Sequence, residues 1–284
     1  MSLSSTYVGL FGACTLLGLL LAHRLIAGRL GGTTDRQATL EANPALALRE
    51  VGSILALFLI GSAVVKGTLR GESVGADAAW CAAFAGLGLV LLEVTSFAGL
   101  GLIMKRNLRE SLDRGNVAAG LTTSAHHVAM GLLTSKAVAG NDLRGLGLSV
   151  TFFGIGVVSH QLLVALFRVV TTYDDAEQID GENTAAALSY AGMTLGVALV
   201  ISRALEGDFV DWRSSLTGFA ALVSMNLAFY PMRQLVVQGL LLGAKPSLRG
   251  GGLDDAIGRD RKLGVAALEA GAYLGGALAI VTLA

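Results

Sequence analysis

Two ionisable side chains lie inside long apolar stretches, where an unpaired charge is costly. Glu93 stands in GLVLLEVTSF and His160 stands in VVSHQLLVAL. An ionisable side chain at the centre of a membrane helix costs about 2.5–3.5 kcal/mol on insertion scales, so each is a candidate for function. Each precedes an asparagine, Asn116 or Asn183, by 23 residues. If the segments are related repeats, the carboxylate and the imidazole lie at similar depth, where they could face each other and relay protons or bind a cation. The alternative is a polar pair, or hydrogen bonds to the backbone, that only fixes the helix register.

A second set of polar side chains follows the asparagines on one helix face. Seven residues turn an α-helix by about 700°, which places them on the asparagine's face and about 10 Å farther along the axis. These residues are Glu50, Thr123, Tyr190 and Glu269, and His127 shares their face. We expect them to line a polar seam. The alternative is that Glu50 pairs with Arg49 or reaches the membrane surface, and that Glu269 reaches a Lys or Arg near that surface.

The elements that position these residues recur four times along the chain. Asn43, Asn116 and Asn183 each precede a run rich in small residues, and asparagine is a favoured helix N-cap because its side chain accepts from the first backbone N–H groups. Lys262 takes the corresponding place in the fourth copy, and the spacings are about 73, 67 and 79 residues. A unit that recurs at such a period predicts an internal repeat.

The composition is that of a membrane protein. Of the 284 residues, 53% are hydrophobic and 15% are charged, with a mean hydropathy of +0.65. Soluble domains carry about 25% charged residues. The net charge is zero, so no nucleic-acid partner is expected, and the lipid bilayer is the predicted surrounding. Cys14 and Cys81 both lie in apolar runs, which argues against a disulfide framework.

The apolar segments predict an all-α, polytopic membrane protein of about eight transmembrane helices, built as four parallel helix hairpins. A span needs about 20 apolar residues. We predict two units, residues 1–142 and 143–284, each of two hairpins. The predicted spans are 7–28, 44–66, 77–104, 117–139, 147–170, 184–204, 214–242 and 263–284.

Lys and Arg predict the orientation. Of the 21 basic residues, 15 fall on the side of the longer, polar connections. The positive-inside rule therefore places those connections in the cytoplasm of a bacterial inner (plasma) membrane and both termini outside the cytoplasm. Gly192 and Gly196, like Gly271 and Gly275, favour close helix packing. This packing is expected inside the chain, with a homo-oligomer or a membrane-complex partner as the alternative.

The segment TYDDAEQIDGENTAAALSYAGMTLG resembles the bacterial membrane family catalogued as domain of unknown function 350. An aromatic-acidic lead-in and an Asn-x-Ala-Ala element carry the resemblance, which Asn183–Ala186 and Asn116–Ala119 match well and Asn43–Ala47 matches loosely. The fourth copy departs from the pattern at Lys262. The resemblance implies a polytopic inner-membrane protein that is a tandem fusion of two family units, and it implies no established activity.

The remaining residues predict no catalytic site, no metal site and no cofactor. His23, His126, His127 and His160 show no His-x-x-x-His ligand spacing. We therefore expect a non-enzymatic membrane protein that forms an ion or small-solute pathway in the cell envelope. Two alternatives remain open. One is a non-catalytic scaffold or partner subunit of a larger membrane complex, and the other is an intramembrane redox or metal enzyme subunit.

Overall fold

The protein is built from helices that follow one another as hairpins. The computed structural model describes residues 3–31, 41–104, 108–207 and 209–284. The all-α, polytopic membrane fold is confirmed. In these ranges the main helices are α1 (Ser5–Gly31), α2 (Pro44–Thr68), α3 (Val74–Met104), α4 (Arg109–Asp113), α5 (Val117–Ala137), α6 (Leu143–Val170), α7 (Asp175–Asp180), α8 (Thr184–Ala204), α9 (Trp212–Ser224) and α10 (Leu263–Leu283).

The seventh predicted span is a composite rather than one α-helix. After α9 the chain continues through a 3₁₀ turn, Met225–Ala228, and a short α-helical turn, Phe229–Pro231, into a π-helical segment, Met232–Leu241. Pro231 has no backbone N–H, so it removes a hydrogen bond from the helix interior and disturbs the regular pattern. A π-helix is a rare geometry that is frequent at functional sites.

Within the described residues, six helices are long and apolar enough to cross a membrane. Their apolar parts are Ser5–Ala27, Pro44–Thr68, Val74–Leu102, Leu143–Val170, Thr184–Ala204 and Leu263–Leu283. The other two predicted spans, 117–139 and 214–242, correspond to α5 and to the composite segment. α5 carries several Thr, Ser and His side chains, which lower its apolar character.

Four long helices form a row, and the others pack against it as a second layer. α2, α5, α8 and α10 stand side by side in chain order, and neighbours in this row share the most extensive contacts of the molecule. α3 lies against α2 and α5, and α6 lies against α5 and α8. α1 packs against α2, and the composite segment packs against α8 and α10. The buried side chains therefore concentrate in α5 and α8, in the middle of the row.

Glycine allows close approach within the row. A Cβ added at Gly192 would lie 2.4 Å from Cα of Ala270 on α10, and one at Gly196 would also meet α10. This predicted motif therefore packs inside the chain, as small residues do when helices associate in lipid. A Cβ added at Gly271 or at Gly275 would meet no neighbouring atom within 4 Å in the described part of the chain.

Candidate functional site

Asn43 is an N-cap that also ties its helix to the next hairpin. Its Oδ1 accepts from the backbone N–H of Leu46 at 3.0 Å, while its Nδ2 donates to the carbonyl oxygen of Leu112 at 2.8 Å. Leu112 belongs to α4, the short helix that leads into α5. One amide side chain therefore satisfies a free N–H at the start of α2 and adds a hydrogen bond to a carbonyl at the end of α4, which also accepts from the backbone N–H of Gly115. We call this double contact the asparagine clamp.

The asparagine clamp recurs along the row. Asn116 Nδ2 donates to the carbonyl oxygen of Ile179 in α7 at 2.8 Å, and Asn183 Nδ2 donates to that of Ile257, just ahead of α10, at 2.9 Å. Both Oδ1 atoms accept from N–H groups two or three residues ahead. Lys262, at the start of α10, makes no side-chain cap. α10 is the last helix of the row among the described residues.

Three ionisable side chains from three helices meet in the first half of the chain. His23 of α1 lies between Glu50 of α2 and Glu93 of α3, with Nδ1 2.7 Å from Oε1 of Glu93 and Nε2 3.4 Å from Oε1 of Glu50. The side chains of His23 and Glu50 are largely buried, and that of Glu93 is 32% exposed. All three lie inside helices that can cross a membrane. Imidazole and carboxyl groups at hydrogen-bond distance can bind, hold and pass a proton. We call these three residues the His23 triad.

A second cluster lies in the second half, around Arg233 of the π-helical segment. Its Nε donates to Oε1 of Glu269 at 2.5 Å, and its Nη2 donates to Asp254. Ser189 donates to the other oxygen of Glu269 at 2.5 Å, and the backbone N–H and hydroxyl of Thr172 donate to Asp254 at 2.6 and 3.0 Å. The three charged side chains are almost fully buried. A buried ion pair with these added hydrogen bonds holds its elements in one arrangement.

The two clusters lie at opposite ends of the row and differ in chemistry. Glu50 and Glu269 each stand seven residues after the N-cap position of a row helix, Asn43 or Lys262. Each carboxylate contacts a basic side chain of the preceding helical element. Glu50 contacts His23 of α1, and Glu269 contacts Arg233 of the composite segment. Histidine gains and loses its charge between about pH 5 and 8, whereas arginine stays charged. The first cluster therefore contains an imidazole that can bind and release a proton, whereas the cation of the second cluster keeps its charge.

Glu93 and His160 do not form the pair that their equivalent spacing predicts. Glu93 turns to His23 on α1, whereas Nε2 of His160 lies 3.2 Å from the carbonyl oxygen of Thr194 on α8. The His160 ring packs against that of His126 on α5, with 6.3 Å between the ring centroids. The physical reason is that the repeats are displaced along a row. Equivalent positions in such a row have different neighbours and do not face each other across an axis.

The other residues of the predicted seam lie on α5 and α8, in the middle of the row. The Thr123 hydroxyl turns back to the carbonyl of Ala119 in its own helix at 2.7 Å, and Nδ1 of His127 lies 2.8 Å from the carbonyl oxygen of Thr123. Tyr190 is fully buried in the middle of α8.

Three members of the clusters, His23, Arg233 and Asp254, are absent from the predicted seam. The only signal for them in the sequence is indirect. A buried glutamate requires a cationic or hydrogen-bonding partner, and the helices before Glu50 and Glu269 carry few candidates. Spacing alone does not show which candidate points inward.

A buried carboxyl group also lies in the polar lead-in to α8. Oδ2 of Asp175 accepts from Nε of Arg168 at 3.0 Å. Burial raises the pKa of the Asp175 carboxyl group from 3.8 to about 6, and the adjacent Arg168 guanidinium limits that rise. This lead-in is therefore sensitive to mild acid.

Comparisons with known proteins address the family and the membrane character. The family model described as Domain of Unknown Function (DUF350) matches residues 2–138 and again residues 141–283. A relative described as a UPF0719 transmembrane protein, from Aquifex aeolicus (strain VF5), is 27% identical over 146 residues, which cover 49% of this chain and 53% of the relative. The chain thus spans about half the length of this curated relative. No solved structure matches. The two matches confirm the tandem duplication, and the chain belongs to the DUF350 membrane family.

Proposed function

We propose that this protein is an integral inner-membrane protein of the cell envelope that provides a pathway for protons or another small cation. The His23 triad is its ion-binding site, and the role is non-catalytic. The supporting observation is that two exchangeable carboxyl groups, Glu50 and Glu93, lie within ion-pair or hydrogen-bond distance of the His23 imidazole, with each of the three groups on a different apolar helix. A purely structural pair needs no exchangeable proton, as Arg233 and Glu269 illustrate.

The position of the triad supports access from the capped ends of the helices. Glu50 lies seven residues after Asn43, about 10 Å along the helix axis. Farther from the caps along the helix axes, fully buried apolar side chains fill the interior. They include Ile60, Val64, Met130, Leu133, Val197 and Ile201. In this arrangement an ion enters from the capped side, and the apolar layer must open before it leaves on the other side.

The charge distribution supports a cytoplasmic location for the capped ends. Basic residues concentrate on that side of the chain, and the positive-inside rule then places both termini outside the cytoplasm. The His23 triad would exchange with the cytoplasm in this orientation.

Proton flux into proteoliposomes tests the proposal. Purified protein is reconstituted with a pH-sensitive dye inside the vesicles, and a potassium diffusion potential drives proton entry. We expect flux above that of empty vesicles, and we expect Glu93→Gln and Glu50→Gln to lose most of it, because an amide does not bind the transported proton.

The matched control is Glu206→Gln. Glu206 accepts from Nζ of Lys136 at 2.8 Å in an exposed pair at the other ends of the helices, so its loss should leave flux unchanged. Wild-type flux equal to that of empty vesicles, or full flux in Glu93→Gln, would contradict the proposal. Co-purification of a second membrane protein under those results would favour the scaffold role instead.

A further inference from the structure

Buried polar side chains gather where α3, α5 and α6 meet, at the boundary between the two halves. The three helices contact one another pairwise. We call this group the central junction, and it consists of Ser96 on α3, Thr122 and His126 on α5, and His160 and Gln161 on α6. Thr122 and both histidines are fully buried, and Ser96 is buried too.

Several polar atoms of the central junction have no hydrogen-bond partner among the described residues. These atoms are Nδ1 of His126, Nδ1 of His160, the hydroxyls of Ser96 and Thr122, and both amide atoms of Gln161. Buried polar atoms are almost always paired, because leaving one unpaired loses the hydrogen bonds it makes in water. Lipid offers no hydrogen bonds either. The partners of these atoms therefore lie outside the described residues.

The side chains of Gln161 and His126 converge on Gly99 of α3. A Cβ added at Gly99 would lie 2.8 Å from Nε2 of Gln161 and 3.1 Å from Nε2 of His126. The absence of a side chain at Gly99 therefore lets both polar groups lie close to the α3 backbone. Hydroxyl, amide and imidazole groups can each donate and accept, and none carries a permanent charge. This chemistry suits a small, neutral molecule that both donates and accepts, which is water.

We propose that the central junction binds internal water molecules that join the His126 and His160 imidazoles to the Ser96 hydroxyl. This inference deepens the proposed pathway and rests on it for its role, because Ser96 lies one helical turn from Glu93 of the His23 triad. A proton that leaves the Glu93 carboxyl group is accepted by the first water, which releases one of its own protons to the next member. Each member returns to its original form, and the proton ends on an imidazole of the other half.

Radiolytic labelling of the full-length protein in detergent tests for the water itself. A short X-ray pulse converts bound water into hydroxyl radicals, which oxidise the side chains beside it, and mass spectrometry locates the products. We expect His126 and His160 to be labelled although they are fully buried, while Met130, in the apolar layer of the same helix, stays unlabelled. Unlabelled His126 and His160 would overturn the inference.

A matched pair of glycine variants on α3 tests the place of the water. Gly99→Ala puts a methyl group against Gln161 and His126, and we expect a several-fold loss of labelling at both histidines. Gly86→Ala is the control, because a Cβ there meets no atom within 4 Å, and labelling should stay at the wild-type rate. Equal labelling in Gly99→Ala and in the wild type would contradict a water site at this position.

Two threonine-to-valine variants on α5 test for the same water, because the direction in which the midpoint of thermal unfolding moves depends on whether the water is present. If water pairs with the Thr122 hydroxyl, Thr122→Val lowers the midpoint of thermal unfolding. If the junction is dry, the same change removes an unpaired hydroxyl at equal volume, and the midpoint rises. Thr134→Val is the control, because its hydroxyl already donates to the carbonyl of Met130 at 2.7 Å.

The labelling measurements and the flux experiment can each refute one claim without affecting the other. Labelled histidines without proton flux would leave the hydrated junction standing and refute the proposed function. Proton flux with unlabelled histidines would refute the hydrated junction and leave the proposed function standing. The proton route would then run through the first half alone.

Discussion

His23 and Arg233 show how one residue type decides what a buried glutamate can do. Each lies against a glutamate seven residues into a row helix, within a few ångströms of a carboxylate oxygen. Histidine can bind and release a proton, whereas arginine stays charged. The duplicated halves therefore keep the same placement of a cation against an acid but differ in whether the contact can change its charge.

Asp175 is predicted to make stability depend on mild acid. Its pKa is raised by burial from 3.8 to about 6, so between these values the folded protein binds a proton that the unfolded chain does not. The free energy of unfolding should therefore fall as the pH rises from about 4 to about 6, by an amount on the order of 3 kcal/mol, and stay level above that. Asp175→Asn should remove this slope, as measured by thermal unfolding in detergent from pH 4 to pH 7.

The neighbouring Asp174 provides the control for that slope. Its side chain caps α7 by accepting from Ala176 and Glu177, a role that asparagine also fills, and it is more exposed than Asp175. Asp174→Asn should keep the wild-type slope. An unchanged slope in Asp175→Asn would show that another group binds the proton.

At the level of elements, the asparagine clamp joins each of the first three row helices, α2, α5 and α8, to the hairpin that follows. Asn183 is fully buried, and Asn183→Ala loses both the cap of α8 and the bond to Ile257. We expect a loss of about 1–3 kcal/mol in the free energy of unfolding. Titration with SDS in mixed micelles measures it.

Two further variants separate the contribution of the helix cap from that of the hydrogen bond to Ile257. Asn183→Asp keeps the acceptor for the start of α8 but loses the donor to Ile257, so an intermediate loss is expected. Lys262→Ala removes a side chain that makes no cap and should change stability by about 0.5 kcal/mol or less. Equal losses in all three variants would show that the clamp is not what stabilises the row.

Close packing between α8 and α10 gives a second prediction for the elements. Gly192→Ala would place a methyl group 2.4 Å from Ala270, so the two helices must separate. We expect a loss of about 1–3 kcal/mol in unfolding free energy. Gly271→Ala, on α10, meets no neighbour within 4 Å and should be neutral or slightly stabilising, because alanine is the better helix former.

At the level of the whole molecule, four similar hairpins stand side by side and keep one orientation. In a row of this kind the hairpins at the ends have one neighbour and those in the middle have two. The ends and the middle can therefore take different roles. The ends hold the two charged clusters and the middle holds the central junction.

The proposed orientation is checked with reporters at the C-terminus. Alkaline phosphatase fused there should be active and green fluorescent protein should stay dark, because both report an end outside the cytoplasm. The same reporters inserted in the connection 243–251 should give the opposite pattern. A fluorescent C-terminal fusion would invert the orientation and place the His23 triad toward the other side.

Sequence patterns were sufficient for the features that depend on neighbours within a few residues. The membrane class follows from composition, and the repeat follows from the spacing of Asn43, Asn116 and Asn183. The asparagine caps could be predicted because a cap contacts N–H groups only two or three residues ahead. The tie from each asparagine to the next lead-in could not be predicted, because Leu112 lies on another hairpin.

The pairing of the buried ionisable groups was decided by the tertiary structure alone. Glu93 and His160 share a spacing, yet Glu93 meets His23, about 70 residues earlier in the chain. Repeats in a sequence give equivalent depth, but they do not specify whether the copies surround an axis or stand in a row. That choice depends on the packing surfaces of whole helices, such as the glycine contacts of α8 with α10. Only the packed row therefore determines which carboxylate faces which imidazole.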